Sequence, residues 1–110
     1  MASSRQQGFQ DVCIQGRYIE GRWKHADKHA WISFQTNQGL GHAYVSRHDQ
    51  NPEVEGELLI KHIERVNDNG WRGEMFNGEG FTTVTIRCTN TNTLIIRTLA
   101  EAVVLRLLRD

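Results

Sequence analysis

The side chains best equipped for chemistry are five histidines, His25, His29, His42, His48 and His62, with carboxylates scattered around them. His25 and His29 stand four apart, a spacing that aims two imidazoles at one metal ion only on a helix. They flank Ala26-Asp27-Lys28, which reads as a polar turn between strands, so the pairing has no helix to support it. His42 and His62 fall on candidate strands, and His48 opens the loop that holds Asp49. A His/His/Asp cluster forms only if folding gathers them, whereas a solvated or locally bonded histidine needs no such assembly. Neither a metal nor a cofactor is expected. Glu53, Glu55 and Glu57 alternate, so extended chain puts them on one face. With Glu74 and Glu79 they could supply the paired carboxyls of a glycosidase, but a solvated loop rim explains the same spacing. Ser3, Ser4, Ser33 and Ser46 lack a Gly-x-Ser-x-Gly elbow. Cys13 and Cys88 form no CxxC pair, lack a context that would lower a thiol pKa, and read as buried filler. No catalytic residue is assigned. The enzyme reading left open is a His/Asp or Glu site near the 48–57 loop.

The aromatic residues offer a different chemistry, that of a lined pocket. Tyr18, Trp23, Trp31, Phe34, Tyr44, Trp71, Phe76 and Phe81 lie in or beside β-prone runs. A pocket for a small apolar or amphipathic ligand would draw on Trp23, His42, Tyr44, Trp71 and Phe76, because such pockets need shape and a few polar groups. Ordinary aromatic packing is the alternative for the same residues. Trp31 falls opposite Ile32 and Phe34. It is therefore exposed, at an interface or in a cavity mouth, since both faces of a single sheet cannot be core. A sheet edge, or a face carrying Trp31 and Val45, would suit a homodimer or larger homo-oligomer.

These side chains must be held by short strands. From Asn67 to Thr98 the chain alternates β-prone runs with Asn/Gly clusters: Asn67-Asp68-Asn69-Gly70, Asn77-Gly78-Glu79-Gly80 and Thr89-Asn90-Thr91-Asn92. Asn and Gly accept the positive φ of tight turns, so this is the pattern of successive antiparallel hairpins. Upstream, Ile19 to Trp23, His29 to Thr36 and Leu40 to Arg47 alternate at the strand period. His48 to Gly56 carries the only proline and reads as a loop across one barrel end. Glu57 to Val66 resumes as a strand whose pattern slips at Leu58-Leu59-Ile60, which predicts a bulge or burial on both faces. Residues 1–10 read as a flexible arm, Asp11 to Gln15 as a short strand, and 11–110 as one domain. Leu99 to Asp110 reads as a turn followed by a strand; the alternative is a helix with Leu99, Val103 and Leu107 in line. The fold class is all-β, with about eight strands in an antiparallel meander.

Composition agrees with that class. The chain has 110 residues, enough for one core, and 38% hydrophobic content suits one apolar face per strand. Thirteen basic residues balance thirteen acidic ones, without the basic excess that nucleic-acid binding exploits. No window approaches the ~18 apolar residues of a membrane-spanning helix. With no apolar leader at its start, the chain reads as cytoplasmic with reduced thiols, or as periplasmic if a leader was removed; in that case Cys13 and Cys88 could pair.

Several of these motifs together resemble a bacterial family. They are Gly21-Arg22-Trp23, Asp49-Gln50-Asn51-Pro52, Trp71-Arg72-Gly73, Phe81-Thr82-Thr83-Val84 and Thr93-Leu94-Ile95-Ile96-Arg97. Over residues 19–109 the chain is similar to small bacterial calycin-like β-barrels known as a domain of unknown function. The resemblance implies a barrel of about eight strands whose interior holds side chains or one small ligand. It implies no activity. The reading is a non-enzymatic barrel binding a small ligand in or at its mouth. A homo-oligomeric interaction module is the alternative.

Overall fold

In the computed structural model, the described residues are 19–36, 40–67, 69–90 and 92–110. The arm, the strand at 11–15, Tyr18 and Cys13 fall outside them. The strands are β1 (Gly21–His25), β2 (Ala30–Gln35), β3 (Gly41–His48), β4 (Leu58–Asn67), β5 (Gly70–Phe76), β6 (Phe81–Asn90), β7 (Thr93–Thr98) and β8 (Val103–Arg109). Each pairs antiparallel with the next, and β8 returns to β1, so the meander closes into an eight-stranded barrel. Closure leaves neither β1 nor β8 as a free edge strand, with Trp23, Lys24 and His25 paired to Arg109, Leu108 and Leu107.

The strand period sets the interior. Trp23, Ile32, Phe34, Ala43, Val45, Ile60, Ile63, Trp71, Val84, Ile86, Leu94, Ile96, Leu105 and Leu107 point inward and form one hydrophobic cluster with Ile19 and Cys88. Burying each larger side chain contributes roughly 1.5–3 kcal/mol. The β2 alternation falls as the sequence indicates, with Ala30, Ile32 and Phe34 in and Trp31 out. On β3 the inward set is Gly41, Ala43 and Val45. Trp31 and Val45 therefore lie on opposite sides of the wall and share no face, which corrects the interface drawn from them.

Two ambiguous stretches are resolved. The slip in β4 is a bulge, placed just beyond the expected tripeptide. Lys61 pairs with Glu74 and Glu64 with Arg72, so β4 carries one residue more than β5 over that span. Ile60 and Ile63, three apart, can then both be buried. Gly73 makes room for them: a Cβ there would sit 2.9 Å from Ile60 Cγ2 and 3.2 Å from Ile63 Cγ1. The C-terminal stretch is a strand after a turn in which Glu101 N–H donates to Thr98 O and Thr98 N–H to Ala102 O. A helix would have left β7 and β1 as open edges; the strand satisfies both.

Candidate functional site

The structure separates the five residues expected to line a pocket. Trp23 and Trp71 are packed into the core at 0% and 3% exposure. Trp23 Nε1 donates to Ile19 O at 3.0 Å, and the Arg109 guanidinium lies 4.0 Å from the centre of its ring, capping that end of the core. His42 and Tyr44 point outward from β3, their rings tilted and 6.3 Å apart. Phe76 is exposed near the β5–β6 turn, paired with Phe81 at 5.5 Å between ring centres. An interior this narrow is taken up by its bulkiest side chains, so the aromatic-lined lumen and the observed packing use the same tryptophans.

Other candidate groups are bonded into the scaffold. Trp31 is half-buried: its Nε1 donates to Asp110 Oδ1, and Arg47, Arg22 and Lys24 approach its ring at 5.0, 5.9 and 5.9 Å. The Arg22 guanidinium bonded to Asp110 holds that carboxyl below its ordinary 3.8. In the 48–57 loop, Glu55 accepts from His48 N–H, His48 Nδ1 accepts from Asn51 N–H, and Asp49 pairs with Arg47. The His, Asp and Glu of the loop thus build its short 3-10 turn, Pro52–Val54, rather than converge on a cleft. Among the described residues no three His, Cys, Asp or Glu side chains come together as a metal site. Cys88 is buried in the core, as expected, and it is disulfide-bonded, which corrects the reading of a reduced thiol there.

The β4 bulge makes the first notable constellation. His62 sits there at φ 54°, a left-handed conformation that costs a non-glycine residue of order 1–3 kcal/mol. Bulges re-aim side chains in this way. His62 Nδ1 lies 2.7 Å from Glu74 Oε2, and this bond is the main reason the Glu74 carboxyl is held below its ordinary 4.5. An ionised carboxylate only accepts, so Nδ1 donates and the ring's lone pair is on Nε2. His25 and His48 are the reverse, each accepting a backbone N–H on Nδ1. Beside the bulge, Leu40, His62, Glu64, Arg72, Gly73, Glu74 and Thr83 line an open concavity of about 250 Å³.

The second constellation is one end of the barrel. A closed meander puts the turns after β1, β3, β5 and β7 at the same end. Among the described residues, six of the nine exposed large apolar side chains are there: Leu58, Phe76, Phe81, Leu99, Val103 and Val104. Around them the same turns expose Asp27, Asp49, Glu53, Glu55, Glu57, Glu79 and Glu101, against Lys28 in the turns and Lys24, Arg47, Lys61 and Arg106 on the adjoining strands. Where β1 and β8 diverge, His25, Asp27, Val103, Val104, Leu105 and Arg106 line a concavity of about 300 Å³. Burial, with Lys28 nearby, lowers the His25 pKa below its usual 6.5, so the ring there tends towards neutral. The lining expected from the sequence includes Phe76 but none of its companions. Their signal was an apolar residue beside a turn, repeated at three of the four turns of that end.

Comparison of the chain with protein-family models, with curated proteins and with solved structures finds no match.

Proposed function

We propose that the protein is a binding barrel that takes a small amphipathic cation at its acidic, apolar end. One observation carries this reading: topology collects Leu58, Phe76, Phe81, Leu99, Val103 and Val104 at a single end, within a rim of exposed carboxylates. Exposed apolar clusters with polar rims are characteristic of binding surfaces. The apolar part of a ligand would lie on these side chains, and its positive head would face Asp27, Glu79 or Glu101. The ligand site is thus at the mouth and outside the packed interior, with Phe76 the shared element of the expected lining. The disulfide at Cys88 favours work in an oxidising compartment, where such bonds persist.

Titration calorimetry with a dodecyl trimethylammonium salt and with dodecyl sulfate, both below micelle formation, tests the reading. The cation should bind saturably, the sulfate at least tenfold more weakly, and Phe81→Ser should weaken the cation's binding several-fold. Equal affinity for both, or binding unaffected by Phe81→Ser, would contradict it. A second reading has support from the opposite end, which carries Arg22, Arg65, Arg87 and Arg109. Copies could associate head to tail, acidic end on basic end, and light scattering would then show mass falling as salt rises.

A further inference from the structure

We propose that His62 is the general base of a separate site that hydrolyses small carboxylic esters, in the concavity over the β4–β5 bulge. This site is independent of the acidic end. It lies partway along the wall, against Arg72, Gly73 and Thr83. The argument begins with the hydrogen bond. Glu74 occupies Nδ1 at 2.7 Å, which fixes the tautomer, orients the ring and leaves the basic lone pair on Nε2. Among the described residues His62 is the one histidine with a carboxylate on Nδ1, and it is also held in a strained left-handed conformation. Strain of this kind gathers where a side chain has to be aimed. The same concavity holds the Arg72 guanidinium, tied to Glu64 by a single contact at 3.5 Å, and apolar wall from Leu40.

The step balances without a cofactor. His62 Nε2 takes a proton from a water whose oxygen forms a bond to the ester carbonyl carbon, and the carbonyl π pair moves onto its oxygen. Arg72 is the cation placed to meet that oxyanion. Collapse re-forms the carbonyl and breaks the bond to the alkoxy oxygen, which takes the proton from Nε2–H. One water and one ester give one acid and one alcohol. Glu74 acts through His62, as a positioning residue. A concavity of about 250 Å³ has room for a small acyl group with a compact alcohol or phenol.

Hydrolysis of 4-nitrophenyl acetate by the full chain, followed between pH 5 and 8, is the test. The rate should saturate with ester, rise with pH through a single ionisation, and show no burst of nitrophenol. His62→Asn should lower kcat/KM at least tenfold; asparagine tolerates the left-handed backbone, so the fold is kept. Glu74→Gln should lower kcat with little change in KM, and it leaves the bulge backbone untouched should His62→Asn fail to fold. His29→Gln should retain the wild-type rate. Wild-type turnover in both His62→Asn and Glu74→Gln, or an equal loss in His29→Gln, would show catalysis by surface imidazole in general and overturn the proposal. A nitrophenol burst would make His62 a nucleophile and overturn its role as base.

Discussion

Which ring nitrogen is already bonded decides what a histidine has left to offer. No local spacing announces that His62 meets Glu74, because the two are twelve residues apart and meet only through the bulge. The His/His/Asp cluster that folding could have gathered does not form at the loop: Asp49 pairs with Arg47, and His48 is held by Asn51. The aromatic lining was misjudged by volume. Trp23, Phe34 and Trp71 use up the lumen, so β3 contributes Gly41, Ala43 and Val45 inward and turns His42 and Tyr44 outward. A pH experiment belongs at this scale. The Glu74 pKa is lowered in the folded chain, so its contribution is complete above 4.5 and is lost as pH falls through the lower native value. The pair is exposed and therefore weak. Between pH 5 and 3 the urea midpoint of the wild type should fall slightly more steeply than that of Glu74→Gln. Parallel curves would deny the bond a role in folding.

Strands whose apolar residues alternate without interruption were legible. In β2, the order Ala30, Trp31, Ile32, Ser33, Phe34 states both the face and the phase. The hairpins from β5 to β7 were legible through Asn and Gly at their turns; in one, Asn77 Oδ1 accepts from the N–H groups of Glu79 and Gly80. The last strand was legible only as the preferred of two readings, since its two-residue and four-residue periods coincide at Val103 and Leu107. Only pairing with both β7 and β1 decides it. The bulge was legible as a slip in pattern but not in position, because Gly73, its necessary partner, lies on the neighbouring strand. Gly73→Val tests that pairing. The new side chain must displace Ile60 or Ile63, an overpacking that should cost about 1–3 kcal/mol in denaturant unfolding. Unchanged stability would mean that the wall does not pack as closely there as the bulge requires.

At the scale of the whole molecule, the barrel has two unlike ends because a meander sorts its turns by parity. Turns after odd-numbered strands carry most of the exposed apolar residues and carboxylates, while the other end carries Arg22, Arg65, Arg87 and Arg109 beside Glu20, Glu64 and Asp110. Composition could not show this, since thirteen positive and thirteen negative residues sum to nothing until the fold separates them. The closed barrel was readable from the chain; its polarity required the topology. Amide chemical-shift mapping with a dodecyl trimethylammonium salt puts the central claim to its most direct test. Shifts confined to residues 26–29, 53–58, 76–81 and 99–104 are predicted. Shifts centred on core strand residues such as Trp23 and Trp71, or on the arginine-bearing end, would contradict it.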